Sequence, residues 1–121
     1  MAGRVFITQQ PKPNRAGWTP NLSPAAQFGA LIPVFAGGEQ AYCDPGWAQD
    51  RAAAVLMDFN PEEDFILWPN TGDPIAAWAC MFALARKGFP FINILNWERK
   101  LENGQRSTSE GFYTVVTFYF N

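Results

Sequence analysis

Apolar runs broken by proline, glycine and asparagine set the rhythm of this chain, and their periods divide it into strands and helices. Residues 5–9, Val-Phe-Ile-Thr-Gln, predict a first strand, and residues 30–35 predict a second. Residues 65–68, Phe-Ile-Leu-Trp, are a short continuous apolar run between turn residues, the pattern of a central strand covered on both faces. Residues 91–97 read as the next strand. Residues 112–120 alternate, with Phe112, Thr114, Val116, Phe118 and Phe120 on one face and Tyr113, Val115, Thr117 and Tyr119 on the other.

Helical periods fill the intervals. Ser23, Pro24 and Gly29 supply a cap, a first-position proline and a terminator for one short helix. Asp44-Pro45 opens a second, whose Ala48, Ala52, Val55, Leu56 and Phe59 share a face until Asn60-Pro61 stops it. The clearest helix covers residues 75–87, with Asp73 as cap, Pro74 at the first position, Arg86 and Lys87 at the negative end of the dipole, and Gly88 as terminator. It is apolar almost all round, so burial is expected, and Trp68, Trp78, Phe82, Phe65, Phe91 and Phe118 are expected in the core. The unit spanning residues 65–97 is then a right-handed parallel crossover. Residues 98–111, with Asn103-Gly104 as turn signal, form the long polar tip of a hairpin antiparallel to the rest. The expected fold is α/β: a small mixed, mainly parallel sheet of about five strands with two principal helices and a C-terminal antiparallel hairpin, in one domain over residues 1–121.

Composition narrows the chemistry. Only 17% of the residues are charged, against a typical value of about 25%, and 48% are hydrophobic, which excludes intrinsic disorder. There is no histidine, so the commonest general base and metal ligand are missing, along with every Ser/His and Cys/His nucleophile arrangement. Cys43 and Cys80 fit no metal or redox spacing and are read as reduced thiols. No signal-peptide pattern is expected, because polar Thr8 interrupts the first apolar run. The longest uncharged apolar run, residues 75–85, is too short for a bilayer, so a cytoplasmic protein without membrane contact is expected.

Charge is unevenly placed: residues 1–38 carry three bases and no acid, residues 39–73 eight acids and one base, and residues 74–121 five bases and three acids. An acidic chain with a pI near 5.0 opposes non-specific nucleic-acid binding but leaves room for local basic neighbourhoods. Glu62-Glu63-Asp64 reads as solvated loop charge, because adjacent loop carboxylates diverge rather than coordinate a metal. Two features invite binding. Trp18 lies in a Pro-rich loop with Lys12 and Arg15, and Trp97 with Tyr113 or Tyr119 accompanies Arg99, Lys100 and Arg106, compositions suited to a protein hot spot or to stacked single-stranded bases. The turn Asn70-Thr71-Gly72-Asp73 precedes a helix N-terminus, where a phosphate-bearing ligand would sit, although a negatively charged cap at Asp73 makes helix capping the simpler reading.

Four features, taken in order, carry a resemblance: Val5-Phe6-Ile7-Thr8-Gln9; Phe59-Asn60-Pro61 followed by Asp64-Phe65-Ile66; Gly72-Asp73-Pro74 opening an apolar helix; and Asn93-Ile94-Leu95-Asn96-Trp97-Glu98-Arg99. In these the chain resembles a family of small uncharacterised proteins encoded by tailed bacteriophages, mostly through residues 59–100. Similar proteins turn quickly from the tryptophan strand into the last strand, whereas here residues 98–111 intervene. The resemblance implies an accessory role in the host cytoplasm, of the kind used in host takeover, and carries no catalytic residue. The expectation is a non-enzymatic protein, without metal or cofactor, that binds a host or phage protein. Single-stranded nucleic-acid binding and nucleotide or phosphate binding at residues 70–74 are the alternatives. A homodimer through the aromatic last strand is also expected.

Overall fold

The computed structural model describes residues 3–13, 15–17, 19–69 and 71–120, the side chains of 107–109 excepted. Five strands form one sheet in the order β2-β1-β3-β4-β5. They are β1 (Arg4–Gln9), β2 (Ala30–Phe35), β3 (Phe65–Leu67), β4 (Phe91–Glu102) and β5 (Gln105–Tyr119). The first four run parallel and β5 is antiparallel to β4, so the expected α/β fold is the one found. A 3-10 segment (Ser23–Phe28) joins β1 to β2, α1 (Pro45–Val55) joins β2 to β3, and α2 (Pro74–Ala85) joins β3 to β4.

Both helices start as their sequences dictate. The Asp44 carboxylate accepts the Trp47 amide at 3.0 Å, Asp73 accepts the Ile75 amide at 2.9 Å, and Pro45 and Pro74 occupy first positions where no amide is needed. The chain steps outward once to β2 and then twice in the other direction, to β3 and β4. Right-handed crossovers then place the 3-10 segment on one face and both helices on the other. The two core clusters fit this. On the helix face, Phe6, Val34, Ile66 and Ile92 pack with Ala48, Ala52 and Leu56 of the α1 region and Ala76, Ala79, Cys80 and Leu84 of α2. On the opposite face, Val5, Ile7, Leu67, Leu95 and Tyr113 pack with Leu22 and Ala25. Phe28 of the 3-10 segment meets Phe65 edge-on at 5.4 Å.

A polar clamp ties the sheet's amino end together. Asp64 is buried, and its Oδ1 accepts the Arg4 backbone amide at 2.8 Å while Oδ2 accepts Arg4 Nη2 and the Asn60 amide, each at 2.8 Å. Arg4 also donates to Asp58 and stacks over Phe6, 5.0 Å from the ring centre. The hydrogen bond that its guanidinium donates to Asp64 raises Arg4 further above its ordinary range. Asp64 is therefore not the solvated loop charge its neighbours suggested, because a carboxylate placed against an arginine and two amides is satisfied without water.

Three further expectations are refined or corrected. Residues 98–111 form the hairpin tip with the expected turn, but as strand rather than loop: β4 continues to Glu102 and β5 begins at Gln105, with a register shift between Arg99 and Leu101 and a close through Asn103 (φ 53°) and Gly104 (φ 78°) in the two-residue turn favoured by right-twisted strands. α2 is not buried all round, since Ile75, Trp78 and Phe82 lie exposed on its outer side. Trp68 and Phe118 are also about half exposed, and only Phe65 and Phe91 among the six expected core aromatics are partly buried. One helix layer on a small sheet has a single inward stripe, and alanines fill most of it, so the large residues of α2 face outward.

Candidate functional site

In an open sheet of this order, the crevice between strands that diverge in connection, here β1 and β3 at their carboxyl ends, is where ligands usually bind. The chain fills that crevice with its own groups. Gln9, buried at the end of β1, donates through Nε2 to the carbonyls of Ala36 (3.0 Å) and Glu39 (2.7 Å) and accepts the Asp73 amide on Oε1 at 2.7 Å. Asp73 uses one carboxylate oxygen for the Ile75 amide and the other for the Tyr42 amide at 2.7 Å. Gly72 (φ 82°) has no room for a side chain, since a Cβ there would fall 2.3 Å from Gln9 Oε1. Among the described residues the buried Thr71 hydroxyl has no hydrogen-bond partner, and Asn70 lies outside the described residues. The predicted turn thus works as a cross-brace between the ends of β1, β2 and α2. The amides of residues 73, 75 and 76 that an anion would need are engaged internally. Gln9 escaped sequence reading because a glutamine ending a strand looks like a boundary residue rather than a buried brace.

The predicted contact residues gather at this same carboxyl end. Lys12 follows β1 and lies over the Gly37-Gly38 loop, and Arg15 is exposed further along the same connection; Trp18 falls outside the described residues. The others share the arm formed by β4 and β5. β3 ends at Leu67, opposite Leu95, so among the described residues β4 from Asn96 onward has β5 as its only strand neighbour. The arm runs to the turn at 103–104, roughly 20 Å at about 3.4 Å per residue. At its base Trp97 meets Tyr113 edge-on at 4.9 Å and lies over Gly111, where a Cβ would come within 2.5 Å of the indole. Glycine here gives the ring a flat seat on the ribbon. Arg99, Lys100 and Arg106 are exposed beyond it, and Lys100 lies 3.5 Å from Glu110 in a solvated pair. Burial raises the Tyr113 phenol above its ordinary range.

A second exposed region was not legible in the sequence. Tyr42, Pro45, Gln49, Ile75, Trp78 and Phe82 line a shallow apolar groove between α1 and α2. Spacing alone assigned Trp78 and Phe82 to the core, and the outward signal was the run of small residues, Ala76, Ala79 and Cys80, that takes the inward positions. Among the described residues no group of three or more acidic or cysteine side chains is placed to hold a metal ion, and no helix is long and apolar enough to cross a membrane. Both thiols are free, Cys43 exposed and Cys80 buried.

No curated protein and no solved structure matches this chain. A protein family described as phage Pam3 gp32-like matches residues 3–106, which takes in every element from β1 through β4 and ends just past the turn into β5. The ordered features that pointed to a tailed phage all lie within that segment, and on this match the chain belongs to the phage Pam3 gp32-like protein family.

Proposed function

We propose that this phage protein is a non-enzymatic accessory factor that works inside the infected cell by docking onto a host or phage protein, with the β4-β5 arm as its contact element. The observation that carries this reading is the arm itself: every residue from Asn96 to Glu102 is exposed, on a ribbon that packs against the 3-10 region at its base, through Tyr113. An uncovered two-stranded ribbon is marginal in water and gains stability when a partner supplies its missing layer. Arg99 and Arg106 offer guanidinium forks for carboxylates, and Trp97 offers a rigid aromatic edge on a braced seat.

Single-stranded nucleic acid is the second reading, since the same Trp97, Arg99, Lys100 and Arg106 supply stacking and positive charge. Charge favours protein. Between residues 96 and 112 the bases Arg99, Lys100 and Arg106 are matched by Glu98, Glu102 and Glu110, so the arm has no net attraction for phosphate. A nucleotide at residues 70–74 would have to displace hydrogen bonds that already brace the fold.

The test is affinity capture from host lysate by tagged protein, with and without nuclease. A nuclease-resistant protein is expected, retained by the wild type and reduced about tenfold or more by the double substitution Arg99→Glu/Arg106→Glu at unchanged thermal stability. Capture abolished by nuclease and by added salt would transfer the assignment to nucleic acid. Capture indifferent to that double substitution and to Trp18→Ala would remove the arm and the Pro-rich loop as contact elements.

A further inference from the structure

The sheet's two edges differ in how they are protected. β2 is six residues long and carries Pro33, which has no amide to offer a neighbouring strand. β5 is fifteen residues long, and its second half, residues 112–120, contains no charge, no proline and no glycine. Charged residues, prolines, bulges and short length are the usual devices that keep an edge from pairing, and this segment has none of them. The only register irregularity of the hairpin lies between Arg99 and Leu101, outside the segment.

We propose that residues 112–120 pair with the same residues of a second copy, forming a twofold dimer whose sheet runs continuously through both chains. The occupant follows from the register. The Phe120 amide donates to the Pro90 carbonyl at 3.0 Å, so Phe120 turns its backbone groups toward β4. Backbone direction alternates along a strand, so Phe118, Val116 and Thr114 do the same, while Tyr113, Val115, Thr117 and Tyr119 turn theirs to the open edge. An antiparallel twofold centred on Val116 sets Tyr113 against Tyr119 and Val115 against Thr117 of the other copy, so the outward-facing residues satisfy one another. This register also overlaps only the uncharged half. Sliding the axis to Glu110 would set two carboxylates face to face, which like charges oppose.

The surface available suits a dimer. Exposed portions of Phe112, Val115, Val116, Phe118, Tyr119 and Phe120 sum to on the order of 500 Å², at about 150–250 Å² for a whole aromatic side chain. Edge pairing covers the flanks of these side chains, so the interface is smaller than the about 800 Å² per partner of a standard one and the backbone ladder supplies the rest of the attraction. Residues 96–111 lie outside the overlap, so both arms stay free for the docking proposed above, on which this inference does not depend.

Light scattering at micromolar concentration is expected to give twice the chain mass of 13.5 kDa. Val115→Pro removes an outward amide without touching the β4-β5 ladder, and Val115→Lys places a charge at the edge with the amide kept; both are expected to give folded monomers. Val116→Cys in a Cys43→Ser background is expected to form a disulfide dimer on oxidation, since facing residues on the axis lie about 4.5 Å apart between Cα atoms. A wild-type monomer at 100 µM overturns the proposal, as does a dimer that survives both Val115 substitutions. A Val116→Cys protein that fails to cross-link while remaining dimeric overturns the register and the twofold with it.

Discussion

The three strands β2, β1 and β3 and the hairpin of β4 and β5 belong to one sheet but follow different rules. In the first group both faces are covered, and Val5, Phe6, Ile7, Ile66 and Leu67 are almost wholly removed from water. The hairpin is covered only over its first residues. Beyond Leu95 it is held by its own ladder and turn, by Trp97 against Gly111 and Tyr113, and at its base by Tyr113 against Leu22 and Ala25. The first group is thus a tertiary object whose stability comes from burial, and the second is a local one whose stability comes from register and turn chemistry.

This contrast is open to direct attack by urea denaturation. Phe6→Ala is expected to lose about 3–5 kcal/mol, whereas Leu101→Ala, a truncation on the exposed arm, is expected to lose about 1 kcal/mol or less. Similar losses at both sites would erase the distinction. Next in size, Asp64→Ala leaves Arg4 and two amides without their acceptor and should cost about 3 kcal/mol. Gly72→Val combines a left-handed φ with an overlap on Gln9, and a loss of about 2 kcal/mol or more is expected from the brace between strand ends.

A pH experiment probes the covered half more gently. Burial pushes the Cys80 thiol up from its ordinary 9.0 to about 12. The unfolded chain therefore ionises this thiol at a lower pH than the folded one, so its contribution is complete below about pH 9 and is lost as pH climbs toward 12. By pH 10 the loss should be about 1 kcal/mol, and Cys80→Ala should abolish that part of the alkaline slope. Tyr113, raised by burial as well, acts in the same direction. The smallest effect belongs to the arm: Lys100→Ala removes a solvated ion pair and should change stability by about 0.5 kcal/mol or less.

What the sequence disclosed follows the same division. Strand and helix periods, the aspartate caps and the Asn103-Gly104 turn are local signals, and each element they predicted is present. The outward face of α2 was hidden because a helix apolar all round does not say which side meets the sheet, a choice made by the small volume left beneath Ala76, Ala79 and Cys80. Asp64 and Gln9 were hidden for a related reason. Their partners lie 60 and 64 residues away in Arg4 and Asp73, and no local pattern carries a polar contact over such a separation. The arm residues were found as a group, since Trp97, Arg99, Lys100 and Arg106 are close in sequence and a hairpin preserves that closeness.

Because β3 stops at Leu67, nothing in the body fixes how far the hairpin extends. Its length can drift through insertions and deletions without disturbing the packed layers, subject to one arithmetic condition. Side chains alternate between faces, so a change that adds two residues to each strand keeps every later residue on its own side, while an odd change inverts the remainder. Relatives should therefore differ at the arm in steps of about four residues, with the segment corresponding to residues 91–95 conserved in phase.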